Sequence, residues 1–184
     1  MLDTLPKDIS PATLSFCASL APGLPVWVQS VPDADAQSGF CFENVRQRVL
    51  KSGGKSAFGY AIWHLPNAYF EAEHHAVWED PDGRLLDVSP QYKGYAEILF
   101  LRDDTAVYDP ANFRPNVLTA QSDDPLAQAI VTTSLALNRV LNQYRIIGMP
   151  EAEMTPDDER ESQRLTSELD ALLLRYRESM GREA

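Results

Sequence analysis

The hydrophobic pattern separates a mixed first part of the chain from a helical last third. A Ser-Pro start signal predicts a short helix over 11–20, and apolar residues three and four positions apart predict a helix over 39–52 with Ser38 as N-cap. Runs rich in β-branched and aromatic residues predict strands at 26–31, 58–64, 69–79, 84–88 and 96–101. Segment 102–122 is predicted to be a loop, because Asp and Pro recur along it.

Turn signals suggest how these elements connect. The Asp-Pro-Asp-Gly sequence at 80–83 predicts a tight hairpin, and all the strands are compatible with antiparallel pairing. From 125 to 147 and from 156 to 180 the spacing is helical, with a Gly-Met-Pro break between the two segments. The expected fold class is therefore α+β, with a core over 1–122 and a C-terminal helical hairpin over 123–184.

Composition and charge disfavour several classes of partner. Of 184 residues, 16 are Lys or Arg and 27 are Asp or Glu, so the net charge is −11, and 44% are hydrophobic. Such a chain is expected to be globular without disulfides or structural metals, and its acidity disfavours nucleic acid and anionic membranes as partners. Its N-terminus lacks a basic start, and no apolar run reaches the roughly 18 residues of a membrane span. A cytoplasmic location is therefore expected.

The two cysteines, Cys17 and Cys41, differ in their predicted settings. A free thiol is mostly protonated at neutral pH, and only the thiolate is a strong nucleophile. Cys41 falls in the first turn of the predicted 39–52 helix, where the helix dipole favours an anion by about 0.3 to 1 kcal/mol. That effect is too small by itself, so a basic neighbour is required. Cys17 has no such neighbour in the pattern and is predicted to be a buried structural thiol.

Two adjacent histidines, His74 and His75, can supply that base. Neighbouring residues of a strand point to opposite faces, so only one of them can face Cys41. If the hairpin turn spans 80–83, strand residues whose numbers sum to about 162 or 163 lie opposite each other, which places Asp87 beside His75. A carboxylate there would hold the imidazole in one tautomer and stabilise its cation. We therefore predict Cys41 as nucleophile, His75 as base and then acid, and Asp87 as the orienting group.

These segments resemble the papain-like superfamily in its transglutaminase-like branch, where a cysteine opens a helix and a His-Ala-Val strand precedes an aspartate. The Gly-Phe-Cys-Phe-Glu-Asn sequence at 39–44 is also similar to the nucleophile segment of arylamine N-acetyltransferases, as are the spacings of 34 residues from 41 to 75 and 12 residues from 75 to 87. The resemblance covers residues 39 to about 90. It implies a nucleophile helix packed on an antiparallel sheet and acyl transfer through a thioester.

The residues around the nucleophile depart from both families. Gln-Ser-Gly stands where arylamine N-acetyltransferases carry Arg-Gly-Gly, so no cofactor is expected. Papain-like peptidases place an oxyanion-hole Gln shortly before the cysteine, and Gln29 and Gln37 are the candidates here, neither at the usual distance. The backbone N–H of Cys41 is a further candidate donor. The resemblance to transglutaminase-like folds also makes Trp63 and Trp78 candidates for lining the site.

A metal site is disfavoured by the same pattern. His74 or His75 with Glu73 and Asp87 would offer suitable ligand types, but only one of the two histidines can point inward. No His-Glu-x-x-His sequence exists either. No metal is therefore expected.

The predicted function is cysteine-dependent acyl transfer on a small-molecule or peptide amide or thioester. Water as acceptor would make the protein a peptidase, amidase or deamidase, and an amine would make it a transglutaminase-like transferase. The alternative is a non-catalytic binding protein of the same fold. The acidic C-terminal helices are predicted to form a solvated hairpin, with a protein-partner or homodimer surface as the second possibility. Their apolar face consists of Leu165, Leu169, Leu172 and Leu173.

Overall fold

Four helices and six strands form the described part of the chain, which in this computed structural model comprises residues 4–91, 93–109, 114–144 and 153–180. The helices are α1 (Pro11–Leu20), α2 (Cys41–Ser52), α3 (Pro125–Asn142) and α4 (Pro156–Met180). The strands are β1 (Val26–Ser30), β2 (Lys55–Leu65), β3 (Tyr69–Glu79), β4 (Leu85–Asp87), β5 (Glu97–Arg102) and β6 (Val117–Ala120). The predicted α+β class is confirmed. No helix in these ranges is long and apolar enough to cross a membrane.

Five of the strands close into a barrel. Their order around it is β2, β5, β1, β4 and β3, and β3 pairs with β2 to complete the circle, while β6 adds to the first residues of β3. Neighbouring strands are antiparallel except β1 and β4, which run parallel with Ser30 opposite Asp87. The sheet departs from the predicted antiparallel arrangement at this pair, because the chain between β1 and β4 returns in the original direction through α2, β2 and β3.

Apolar side chains fill the barrel interior. This cluster consists of residues that are 2% exposed or less: Val28, Ala57, Ala61, Val77, Ile98 and Phe100. Gly59 lies opposite His75 in the β2–β3 ladder. A Cβ on Gly59 would lie 2.0 Å from the Leu101 carbonyl oxygen, so only glycine lets β2 and β5 approach this closely.

Helices α1 and α2 cover different parts of the outer barrel surface. Phe16 and Cys17 of α1 are buried against β2, β3 and β5. Cys41, Phe42 and Val45 of α2 are buried against β3 and the residues that follow β4. Each helix thus holds one of the two free cysteines against the barrel.

The C-terminal helices α3 and α4 pack on each other and on the sheet near the β2–β3 turn and β6. Ile130 and Val131 of α3 share a buried cluster with Leu65 and Tyr69. The apolar face of α4 contributes Leu169, Leu172, Leu173 and Tyr176 to the same cluster. That face is therefore covered by the chain itself. The predicted helical residues at 145–147 lie outside the described residues.

Two local predictions are wrong. Ser38 is not the N-cap of α2: Phe40 occupies that position without a side-chain cap hydrogen bond, and the helix begins at Cys41. Strand β6 lies inside 102–122, which was predicted to be a loop. Its four residues pair with the start of β3, and this partner from elsewhere in the chain supplies the hydrogen bonds that stabilise so short a strand.

Candidate active site

Cys41 is the first residue of α2 and lies at the surface of the barrel. Its side chain is 9% exposed and packs with Ala76 and Val88. The first backbone N–H groups of a helix have no intrahelical acceptor, so the N–H of Cys41 can donate to a ligand or an intermediate. The helix start therefore presents a thiol and a backbone donor together.

His75 and Asp87 form a buried pair. His75 Nε2 donates to Asp87 Oδ1 at 3.3 Å, and the two residues are 5% and 0% exposed. The β3–β4 register pairs Trp78 with Leu86 and Glu79 with Leu85, so opposite residues have numbers that sum to 164 rather than 162 or 163. Because 164 differs from 162 by two, Asp87 keeps the face that the sum of 162 predicts, whereas the sum of 163 would have turned it to the other face. The 3.3 Å contact places Asp87 beside His75.

The His75 imidazole interacts with Cys41 as well as with Asp87. Burial by itself would lower the pKa of His75, but the negative charges of Cys41 and Asp87, with a side-chain hydrogen bond to each, raise that pKa well above its ordinary value. The structure thus places Cys41, His75 and Asp87 close enough for their charges to act on one another.

In the described part of the chain, the Asp87 carboxylate accepts three hydrogen bonds besides the one from His75. The backbone N–H of Ser89 donates to Oδ1 at 3.1 Å. The Ser30 hydroxyl donates to Oδ2 at 3.4 Å, and the Gln91 side-chain amide donates to the same oxygen. All of these donors are neutral, so they satisfy the buried carboxylate without cancelling its charge.

The Asn44 side chain connects α2 to the segments on either side of it. Its side chain accepts from the backbone N–H of Gln37 at 3.0 Å and donates to the carbonyl of the same residue at 2.8 Å. The same amide nitrogen lies 3.1 Å from the hydroxyl of Ser89. Asn44 is 7% exposed, so these bonds are shielded from water. They connect the loop before Cys41 with the segment that follows Asp87.

The two candidate oxyanion-hole glutamines lie outside the Cys41–His75–Asp87 group. Gln29 is exposed on β1 and accepts a hydrogen bond from the Arg84 side chain. It neighbours Ser30, which lies opposite Asp87, and therefore points to the other face of the strand. The side chain of Gln37 is exposed, and the contacts that hold this residue are made by its backbone to Asn44.

The two candidate tryptophans have other neighbours. Trp63 lies four residues along β2 from Gly59, roughly 13 Å from the level of His75, and donates to the Glu73 carboxylate at 2.9 Å. Trp78 belongs to the apolar cluster of Cys41, but its indole N–H donates to the Gly53 carbonyl at 2.9 Å. Trp78 therefore anchors the C-terminal end of α2, away from Cys41.

Tyr108, which the sequence pattern does not identify, lies close to the Cys41 thiol. Its ring stacks on Phe42, with centroids 4.4 Å apart and planes 12° apart. Burial, followed by the negative charges of Cys41, Glu43 and Asp109, raises the pKa of the Tyr108 phenol. The phenol therefore keeps its proton beside the thiol. A single aromatic residue in a Pro- and Asp-rich segment gives no periodic signal, so the pattern could not have identified it.

A polar cleft of about 390 Å³ opens beside the first turns of α2. It is lined by Asp35, Gln37, Phe40, Glu43, Asn44 and Gln47. Glu43 accepts hydrogen bonds from Arg46 and Gln47, which lower the pKa of its carboxyl to about 2. The cleft adjoins the helix start that carries the thiol and is large enough for part of a small substrate.

Metal ligation and similarity to other proteins add no further assignment. Among the described ranges of the chain, no group of three or more His, Cys, Asp or Glu side chains is arranged to hold a metal ion. Comparison of the chain with protein-family models, with curated proteins and with solved structures finds no match. The functional conclusion therefore depends on the geometry of the site.

Proposed function

We propose that the protein is a cysteine-dependent acyl-transfer enzyme with a papain-like or transglutaminase-like core. Its substrate is an amide or thioester of a small molecule or peptide, and Cys41 forms a thioester intermediate. One observation carries the proposal: the His75 imidazole is hydrogen-bonded to the fully buried Asp87 carboxylate, and the charges of Cys41 and Asp87 together raise the pKa of His75.

The first half of the reaction transfers the acyl group to sulfur. His75 takes the thiol proton, and the thiolate of Cys41 attacks the carbonyl carbon to give a tetrahedral oxyanion. The backbone N–H of Cys41 donates to that oxyanion. His75 then returns the proton to the leaving amine or thiol as the carbon–nitrogen or carbon–sulfur bond breaks. The acyl group is left on the sulfur.

The second half releases the acyl group. His75 removes a proton from the acceptor, which attacks the thioester carbonyl, and the collapse of the second tetrahedral intermediate expels the Cys41 thiolate. Water gives a peptidase, amidase or deamidase, and an amine gives a transferase. The surroundings of His75 support this cycle, because its raised pKa favours an imidazolium beside a thiolate and Asp87 stabilises that cation.

The proposal also includes the location of the protein and its partners. The reaction takes place in the cytoplasm, where a reducing environment keeps both cysteines as thiols. The chemistry needs no cofactor. A protein-partner or homodimer surface on the C-terminal helices stays a prediction.

The decisive experiment measures how fast Cys41 reacts with iodoacetamide as a function of pH. The wild-type reaction is expected to stay fast well below pH 8 and to slow by at least about tenfold in His75→Ala, because the imidazole no longer takes the thiol proton. Cys17 serves as an internal control: burial raises its pKa to about 11, so its alkylation is slow. Mass spectrometry distinguishes the two cysteines.

Substrate class is tested on the same protein with peptide, glutamine-amide and acetyl-thioester donors. A mass increase equal to the acyl group on Cys41, absent in Cys41→Ser, identifies the donor. A Cys41 alkylation rate that follows ordinary thiol titration in the wild type would overturn the proposal.

A non-catalytic binding protein is the second candidate function. It is favoured by the small exposure of the Cys41 side chain, 9%, which limits access to the sulfur. In that case Cys41 would resist alkylation at every pH at which the protein stays folded, and none of the donors would form a thioester.

A further inference from the structure

The hydrogen bond to His75 is not enough to fix the orientation of the Asp87 carboxylate. The His75 contact is long for a charge-assisted hydrogen bond, 3.3 Å against the usual length of about 2.7 to 2.9 Å. A carboxylate that is held through one oxygen by a long bond is free to turn about its Cβ–Cγ bond. Other contacts must therefore set the plane in which the carboxylate meets the imidazole.

The three other donors differ in what they can fix. The Ser89 N–H belongs to the backbone and acts on Oδ1, the oxygen that also faces His75. The Ser30 hydroxyl acts on Oδ2 but at 3.4 Å, near the limit for a hydrogen bond. Gln91 donates its side-chain amide to Oδ2. It is thus the side chain that holds the oxygen His75 does not use.

The charges around Asp87 also favour Gln91 in this role. The ion pairs formed by the described residues give Asp87 no partner other than His75. An amide donor at Oδ2 leaves the negative charge of the carboxylate available to the imidazolium, whereas a Lys or Arg there would compete with it. A neutral, close and directional donor fits this position.

We propose that Gln91 is a positioning residue that holds Oδ2 of Asp87 and thereby aims Oδ1 at Nε2 of His75. This inference rests on the proposed acyl-transfer function for its effect on rate. Within the described residues, the side-chain hydrogen bond of Gln91 goes to Asp87 and none links it to Cys41, so Gln91 acts through Asp87 and His75. Its loss therefore lowers kcat and leaves KM unchanged.

The test compares Gln91→Ala with Gln91→Glu, which has nearly the same shape. In Gln91→Ala, acylation and iodoacetamide alkylation of Cys41 are expected to slow about tenfold at every pH, as for loss of a hydrogen bond to a charged group. In Gln91→Glu, the introduced carboxyl can donate to Asp87 only while it is protonated, and it repels Asp87 once ionised. Its rate relative to the wild type should therefore fall as pH rises.

A readout that needs no catalysis separates this inference from the proposed function. The Nε2–H proton of His75 in labelled protein should give an NMR signal shielded from exchange in the wild type, with faster exchange or a changed shift in Gln91→Ala. Gln128→Glu on α3, far from the site in the fold, is the matched control and should change neither rate nor signal. Gln91→Asn, which keeps the amide on a shorter side chain, should be intermediate and serves if Gln91→Ala fails to fold.

Two results would overturn the inference. One is a Gln91→Ala protein with wild-type rate and wild-type Nε2–H signal. The other is a loss of thermal stability in both variants with no change in the His75 signal and no pH-dependent ratio for Gln91→Glu, which would make Gln91 a structural residue only. If Cys41 reacts as an ordinary thiol in the wild type, the proposed function fails, while the His75 signal still decides whether Gln91 orients Asp87.

Discussion

His74 and His75 are neighbours on β3 and have opposite surroundings. His74 points to the outer face, donates from Nε2 to the Ala106 carbonyl at 2.7 Å and lies 4.8 Å from the Phe42 ring. Within the described residues its Nδ1 is buried and has no hydrogen-bond partner, and burial lowers the pKa of His74. Burial acts on His75 in the same direction, but Cys41 and Asp87 reverse its effect. Burial by itself therefore favours the neutral form of a histidine, as in His74. The anionic partners Cys41 and Asp87 raise the pKa of His75 instead.

The largest expected effect comes from exchanging the two imidazoles for glutamine one at a time. His75→Gln should slow acylation of Cys41 by about 100- to 10,000-fold, because proton transfer is lost. His74→Gln should change the rate by less than about tenfold, because His74 contacts neither the thiol nor Asp87 through any described hydrogen bond. Rates of thioester formation measure both. A greater loss in His74→Gln would reverse the assignment of the two residues.

The next effect comes from removing the charge that distinguishes His75. Asp87→Asn keeps the size of the side chain and should slow acylation about 10- to 100-fold, because the imidazolium loses a charged hydrogen-bond partner. Asp103→Asn is the matched control, since Asp103 is also buried but binds Thr105 and Arg114. Single-turnover kinetics with both variants measure the difference. Equal rates in Asp87→Asn and the wild type would remove Asp87 from the site.

The two histidines should also affect stability with opposite signs. Because folding raises the pKa of His75, protonation of this residue stabilises the folded protein fully at pH values below about 6.5, its pKa in the unfolded chain. That stabilisation is lost as pH rises through the pKa of His75 in the folded protein. Folding lowers the pKa of His74, so the neutral form of this residue stabilises the folded protein fully at pH values above about 6.5. That stabilisation is lost as pH falls through the pKa of His74 in the folded protein. Each unit of pKa shift corresponds to about 1.4 kcal/mol.

Urea unfolding between pH 5 and 9 tests these signs by comparing each variant with the wild type. The free-energy difference between wild type and His75→Gln should shrink as pH rises, and that for His74→Gln should shrink as pH falls. Slopes of the same sign for both variants would contradict the contrast between the two faces of β3.

A smaller effect is expected at Tyr108, an aromatic residue near the Cys41 thiol on the outer face of the barrel. Tyr108→Ala removes the ring stacked on Phe42 and should raise KM by about 2- to 10-fold, as for loss of one aromatic contact. Tyr108→Phe keeps the stack and should retain the wild-type KM. Steady-state kinetics with a single donor measure both variants. A fall in kcat in Tyr108→Phe would instead assign the hydroxyl a role in the reaction.

The smallest effect is expected at the second cysteine. Cys17 is 1% exposed, has only apolar neighbours in its cluster, and has a pKa raised to about 11 by burial. Cys17→Ala should leave the rate of Cys41 acylation unchanged and cost about 1 kcal/mol of stability for the lost packing. Kinetics and urea unfolding measure the two quantities. A loss of activity at unchanged stability would place Cys17 in the mechanism.

Much of the site arrangement could be predicted from local rules. Strand alternation separated His74 from His75, and the hairpin turn at 80–83 placed Asp87 on the face of His75, because the observed register differs from the predicted sum of 162 by two residues and so keeps the same face. The helical pattern placed Cys41 in the first turn of α2. These rules operate over a few residues, so they hold in any fold that keeps the helix and the hairpin.

The supporting residues could not be predicted in the same way. Ser30 meets Asp87 only because β1 and β4 run parallel across the barrel, and Asn44 meets Ser89 only because α2 packs beside the end of β4. Candidates chosen for residue type alone, such as Gln29 and Trp63, lie elsewhere. A residue type marks what a side chain can do, and its neighbours across the fold decide what it does.

By itself, therefore, the sequence determined the helix and strand positions of Cys41, His75 and Asp87, because periodicity and turn chemistry act between near neighbours in the chain. Only the tertiary structure decided that the carboxylate would be fully buried, which neutral donors would hold it, and that Tyr108 would stack on Phe42 of α2. Those contacts join residues far apart in the chain, and the closure of the barrel and the packing of α2 bring them within bonding distance.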